Sequence, residues 1–168
     1  MKIFLITIIL LTSMIYAQDI NKTTTDEKTG KTMLTGLTTR EAFKDTAFAG
    51  WFEDEYANYE PDITVVDSLN WQITNLKMLV VYGTWCSDSR REVPRLLKIL
   101  DLSMFPAEKL TLIAVDRKKQ AEGFDAASKD IQLVPTVIVY SGDKELGRII
   151  ETPGETLEKD IFKILSAK

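Results

Sequence analysis

The chain holds a single cysteine, Cys86, within the stretch "VVYGTWCSDSRREVP". An apolar run precedes it and a helical pattern follows, so the thiol falls at a strand-to-helix junction. Free backbone N–H groups and the positive end of the helix dipole favour a thiolate there. Ser89, about one turn on, is spaced to donate its hydroxyl to that sulfur. Arg90, at i+4, is spaced to add positive charge on the same face, while Asp88 opposes it. The chemistry that fits is nucleophilic attack by sulfur on a disulfide. The other use of a lone cysteine is as a small buried hydrophobe. The polar "CSDS" that begins at the thiol argues for the reactive use.

What is absent narrows the chemistry further. The chain has no histidine, which excludes Cys–His proteases, zincins and histidine-based acid–base catalysis. One cysteine cannot build a metal site, so neither metal nor cofactor is expected. No Gly-rich phosphate loop and no internal repeat are visible.

The first residues, "MKIFLITIILLTSMIYAQ", place Lys2 before an apolar stretch that ends near Ala17. This is the layout of a cleaved secretory signal over residues 1–17, although Ile15 is unusual at the −3 position. The stretch falls short of the roughly 20 residues that span a bilayer. Export to the periplasm or beyond implies an oxidising compartment, where an unpaired thiol is either reactive or intermolecular. The formal net charge is −4, and loss of Lys2 with the signal leaves about −5. That balance argues against nucleic acid or anionic membrane as a partner.

The elements that must position Cys86 follow from patterning. Residues 18–36 are polar, rich in Thr and Lys, and read as a flexible leader. Phe43, Ala47, Phe48, Trp51, Phe52, Tyr56 and Tyr59 recur at helical spacing, which predicts an amphipathic helix over about 40–59. Thr38 and Glu41 fit a capping box at its start, and Pro61 ends it. Glu53, Asp54 and Glu55 read as a solvated face. Beyond Asp62, "ITVVD" reads as a strand and "SLNWQITNL" as a short helix or turn. "KMLVVYG" and "LTLIAVD" are buried strands on either side of the helix "DSRREVPRLLKILDL". "AEGFDAASKD" is a weak short helix, "VPTVIVY" and "LGRIIE" form a hairpin across "SGDKE", and "TLEKDIFKILSA" closes the chain as a helix. The order predicts an α/β domain over 61–168 with a mixed sheet covered on both faces, preceded by a leader and helical extension over 18–60.

Residues 61–168 resemble the thioredoxin superfamily. The resemblance rests on Trp85 before Cys86 at a strand-to-helix turn, on Pro94 eight residues later in the helix, and on the strand opening "VPT" at 134–136. It is similar to a bacterial exported group with a single-cysteine motif. It implies a thioredoxin-like fold with Pro135 as a cis-proline. Cys86 and Ser89 would then hold the two catalytic positions. Trp85, Asp88, Val134, Pro135 and Glu151 would line the client site, with the Val134 backbone able to pair an extended client. The chain departs from the family in three places. Ser89 stands where dithiol members carry the resolving cysteine. Val80 stands where they bury an aspartate. Glu151 stands near a glycine position; it either lines the site or is a surface carboxylate paired with a neighbour such as Arg148.

Serine cannot resolve a mixed disulfide, so the resemblance implies monothiol exchange with an external thiol as resolver. The client would be a protein or a low-molecular-weight disulfide, and no membrane would be involved after signal cleavage. The alternative is a non-catalytic module that binds peptides in the groove and keeps Cys86 as a vestige. The P-x-x-x-T/S-x-x-C pattern of thioredoxin-fold peroxidases is absent before Cys86.

Overall fold

The computed structural model describes residues 20–70, 72–73 and 76–167. The signal assigned to residues 1–17 lies outside the described residues. The elements run β1 (Lys22–Thr25), β2 (Thr32–Thr38), α1 (Ala49–Asn58), α2 (Ile63–Leu69), β3 (Leu76–Tyr82), α3 (Ser87–Leu102), β4 (Leu110–Ala114), β5 (Thr136–Ser141), β6 (Lys144–Ile150) and α4 (Leu157–Ser166). The sheet order is β1-β2-β4-β3-β5-β6. Only β3 and β4 run parallel; α3 lies between them in the chain, as a parallel crossover requires. Every other pairing is antiparallel. The mixed sheet of β2 to β6, flanked by helices, is a thioredoxin-like fold, with α1 as the N-terminal helical extension.

Two apolar clusters hold the layers together. The larger packs Val80, Tyr82, Leu112 and Val139 of the sheet against Leu96, Leu97 and Leu100 of α3 and Ile161 of α4. Each of these side chains contributes about 1.5–3 kcal/mol by leaving water. Phe43 is at its N-terminal edge, stacked on Phe52 at 4.5 Å and tilted on Tyr82 at 5.7 Å. The smaller cluster is Val81, Ile113, Val115, Ile131, Val134 and Ile138, with Trp85 and Cys86 packed against it. Both sheet faces are covered, but the second by irregular chain between β4 and β5 rather than by a helix. "AEGFDAASKD" gives only an isolated bridge, Ala121 to Phe124, and a three-residue 3-10 turn, Ala127–Lys129.

The N-terminal third departs from the sequence reading. Residues 22–38 are a β-hairpin, not a flexible leader. Its turn is closed by Gly30 N–H on Asp26 O, with Gly30 at φ +69°, where a side chain would be strained. The threonines that looked like polar linker serve as β-branched strand residues. β2 buries Met33, Leu34 and Thr38 and joins β4. Thr38 is therefore no helix cap; its Oγ1 lies 2.9 Å from the buried Tyr82 Oη. The helix expected over 40–59 is broken into a 3-10 turn, Arg40–Lys44, and α1. Glu55 is not merely solvated, since it accepts a 2.9 Å bond from Arg95 of α3.

"ITVVD" is helical, against its β-branched composition. Asp62 caps α2 by accepting from Thr64 N and Val65 N, a contribution of about 1 kcal/mol. Its own N–H donates to the buried Glu158 of α4 at 3.0 Å, beside the Tyr59 hydroxyl at 2.8 Å. Val66 and Leu69, three apart, then face the core. Among the described residues no helix is long and apolar enough to cross a membrane.

Candidate functional site

Cys86 is the N-cap residue of α3, with extended backbone, and is half-buried. The turn that presents it, 83–86, is pinned at four points. Gly83 O accepts from Cys86 N at 2.9 Å. Gly83 N donates to Ser89 Oγ at 3.1 Å. Thr84 O accepts from Arg90 Nε at 2.5 Å, and Thr84 Oγ1 accepts from Leu34 N of β2 at 3.1 Å. The thiol is thus held by groups on both its own helix and the hairpin.

The Sγ lies 3.2 Å from Val134 O, to which the thiol donates. The Val134–Pro135 peptide bond is cis. The structure therefore brings Cys86, Val134 and Pro135 together, although they are far apart in sequence. Among the described residues the Val134 N–H makes no hydrogen bond. Glu151 closes the far side: its N–H donates to Pro135 O at 2.7 Å, from a left-handed backbone at φ +58°. Its carboxylate is not paired with Arg148, which forks onto Glu145 through two 2.7 Å bonds. Leu133 and Ile150, 43% and 46% exposed, leave an apolar rim beside this pair of loops.

Three expected contacts around the sulfur are replaced. Ser89 is buried and its hydroxyl oxygen accepts from Gly83 N–H; no bond from Ser89 to Cys86 is present. Its position secures the turn. Arg90 turns away to Thr84 O and the Trp51 ring, 5.9 Å from its guanidinium. Asp88 is neutralised by Arg91 at 2.8 Å, which also binds Glu92 at 2.6 Å. Those hydrogen bonds, Glu92 first, hold the Arg91 guanidinium above its ordinary value. Val80, at the position of the missing aspartate, belongs to the larger apolar cluster.

Two charged residues that the sequence reading passed over stand beside the motif. Trp85 donates from Nε1 to Val115 O at 2.8 Å, and the Arg117 guanidinium lies 4.9 Å over its ring. Arg117 in turn forks onto Asp26 of the hairpin through two 2.8 Å bonds. The topology carries a signal for Arg117. The C-terminal ends of parallel strands lie together, so the loop after β4 must approach the motif after β3; Val115 N indeed donates to Tyr82 O. Asp26 carries no such signal, because its hairpin was hidden among threonines.

Asp26 is almost fully buried. The Arg117 bonds, then the Thr29 hydroxyl at 2.5 Å and Lys28 N–H at 3.2 Å, hold its carboxyl well below the usual carboxylate range despite that burial. A carboxyl with a depressed folded pKa adds stability above its unfolded value of about 3.9, and loses it as pH falls toward the folded one. Asp26→Asn should therefore be less stable than the native chain at pH 7, and the gap should close in acid. Urea midpoints measured from pH 7 down to pH 2 check this; a constant gap would mean that the carboxylate charge is not what matters.

Among the described residues no group of three or more His, Cys, Asp or Glu side chains is placed to hold a metal ion. No family model matches the chain, and no curated protein matches it. Solved structures do. A protein of unknown function from Pseudomonas aeruginosa is 19% identical, over 70% of this chain and 79% of that one, with a TM-score of 0.47. Mitochondrial thioredoxin 3 of Saccharomyces cerevisiae, in its oxidised form, is 16% identical over 68% and 99% of the two chains, with a TM-score of 0.39. Thioredoxin of Fasciola hepatica is 17% identical over 60% and 88%, also with a TM-score of 0.39.

Proposed function

We propose that the protein performs monothiol thiol–disulfide exchange through Cys86, after export to the periplasm or beyond and removal of residues 1–17. The observation that carries this reading is the placement of the half-buried sulfur at the start of α3, 3.2 Å from Val134 O, with no second thiol in the chain. The Val134 N–H, which makes no hydrogen bond among the described residues, and the rim of Leu133 and Ile150 suit an extended, partly apolar client laid across the loops. Trp85 and Glu151 bound that path, and Asp88, tied to Arg91, lies at its helix end.

The exchange balances in two steps. The Cys86 thiolate attacks one sulfur of the client disulfide; the Sγ–S bond forms as the other client sulfur leaves as thiolate. An external thiolate then attacks the client sulfur of the mixed disulfide, and the Cys86 thiolate leaves as the client–external S–S bond forms; attack at Sγ instead frees the client thiolate and leaves Cys86 joined to the external thiol, which a second external thiolate must release. Ser89 takes no part in electron transfer; it holds the turn that presents the thiol.

A second reading has its own support. Val80, buried in the larger apolar cluster, stands where the resemblance implies a proton-accepting aspartate, which suits a groove that binds peptides without chemistry. Incubation of the folded chain with oxidised glutathione separates the two. Exchange yields a one-to-one mixed disulfide at Cys86, read by mass, that Cys86→Ser abolishes. A chain that stays unmodified while still capturing an extended peptide supports the binding module and overturns exchange.

A further inference from the structure

We propose that the groove beside Cys86 takes an extended polypeptide whose reacting cysteine has acidic residues on one flank and basic residues on the other. Lys118 and Lys119 receive the acidic flank, and Glu151 receives the basic one. The inference rests on the exchange reading above and names the class of client that reading leaves open.

The groove continues past the carbonyl that the thiol meets. An open cleft of about 690 Å³ lies along the chain between β4 and β5, and Lys118, Lys119, Phe124, Ile131 and Gln132 are among its walls. Gln132 stands two residues before Val134, whose carbonyl oxygen is 3.2 Å from Sγ. Two residues of extended chain span at most about 7 Å, so a client joined to Sγ enters the cleft within a few residues. Leu133, exposed, bridges the two, and buried Ile131 with half-buried Phe124 makes part of the cleft apolar. That extent suits a polypeptide rather than a small disulfide.

The charges along this path are unevenly spent. Lys118 and Lys119 enter no ion pair among the described residues. The acidic groups near them are engaged. Asp116 accepts from Lys118 N and Gln120 N at 2.8 Å, and Asp130 accepts from Gln132 Nε2 at 2.9 Å. Glu122 pairs with Lys22 at 2.9 Å. Asp125 shares the cleft and accepts from Ala127 N and Ser128 N, so it offsets only part of the charge of the two lysines. Beyond Pro135 the sign reverses. Arg148 is spent on Glu145, whereas the Glu151 carboxylate has no partner among the described residues, and its N–H ties it to Pro135 O at 2.7 Å. A client laid past Cys86 therefore meets free cations on one side and a free carboxylate on the other, a complementarity that selects a client and its direction.

Two end-capped peptides of one composition test this, Glu-Glu-Gly-Cys-Gly-Lys-Lys and Lys-Lys-Gly-Cys-Gly-Glu-Glu, each with nitrothiobenzoate on its cysteine as a mixed disulfide. The Cys86 thiolate of the full folded chain attacks the peptide sulfur. The Sγ–S bond forms, and nitrothiobenzoate leaves as a coloured thiolate that times the reaction. Both peptides carry the same net charge, so the overall field of the protein does not separate them. At low ionic strength one order should react about three- to tenfold faster than the other, and about 0.5 M salt should bring them within about twofold. Lys118→Gln with Lys119→Gln should erase most of the difference. Lys118→Glu, Lys119→Glu and Glu151→Lys together should reverse the favoured order. The ratio is read within each variant, so a general loss of reactivity does not enter it. Equal rates for the two orders, or a preference unchanged by loss of both lysines, overturns the inference and leaves exchange standing. If neither peptide reacts, fluorescence anisotropy of labelled peptides with serine for cysteine decides. Binding that favours one order keeps the groove and overturns exchange; binding without preference, or none, overturns both.

Discussion

Ser89→Cys should turn a protein that stalls at a mixed disulfide into one that turns over. On the proposed exchange reading, the adduct on Cys86 of the native chain waits for an outside thiol. The new thiol, three residues on along α3, stands one helical turn away, within the Cα spacing that disulfides accept. It would attack Sγ, release the client's second sulfur as thiolate, and leave an intramotif disulfide for dithiothreitol to reduce. An intramolecular resolver outcompetes a dilute external one, so insulin reduction should accelerate by roughly tenfold or more. The substitution also carries a structural cost. Ser89 Oγ is the acceptor for the buried Gly83 N–H, and sulfur accepts weakly, so stability should fall by about 1 kcal/mol. Equal insulin turnover by both proteins would show that resolution within the motif is irrelevant here.

Gly83→Ala should damage the site without touching any reactive atom. A Cβ at this position would lie 2.6 Å from both Cε2 and Nε1 of Trp85. Those are atoms of a rigid ring, held by Val115 O on one side and covered by Arg117. The indole must therefore shift, and its hydrogen bond and cation contact go with it. Overpacking of this kind costs about 1–3 kcal/mol, and the lost bond about 1 more. Expected together are a fall of roughly 2–4 kcal/mol in urea unfolding and a slower reaction of Cys86. A change below about 0.5 kcal/mol would mean that the indole has room, and that Gly83 is there for another reason.

What the sequence revealed, and what it hid, divides along physical lines. β3, β4 and β5 were legible because both faces are covered, and so they carry the apolar runs Met78–Tyr82, Leu112–Ala114 and Val137–Tyr140. Cys86, Trp85 and Pro135 were legible because their types are unusual in their places. α2 was misread because Val65 and Val66 suggest a strand, whereas Asp62 and its tie to Glu158 decide for a helix. β1 was misread because a strand at a sheet edge needs few apolar residues, and β2, one strand in, because threonines and Gly36 interrupt its Met33, Leu34 and Leu37, and threonine serves both loops and strands. Around the thiol, spacing gave the correct face for Ser89 and Arg90 but not their partners. A backbone N–H and a carbonyl, neither visible in a residue's name, captured both side chains. The Asp26–Arg117 contact spans 91 residues, and nothing local announces it.

The hairpin also bears on where this protein can be divided. A fragment starting at residue 61 would keep the cysteine, the tryptophan and the proline that make the chain recognisable. It would lack β2, whose Gly36, Leu37 and Thr38 pair with Ala114, Ile113 and Leu112. The bare side of β4 would then offer a row of unpaired backbone groups, flanked by apolar side chains, to any strand that met it. It would also lose the Leu34 N–H that meets Thr84. The region that looks like the whole unit is therefore not separable. The boundary drawn by resemblance cuts through a sheet, and the part left outside serves both as the shield of an edge and as a wall of the reactive centre.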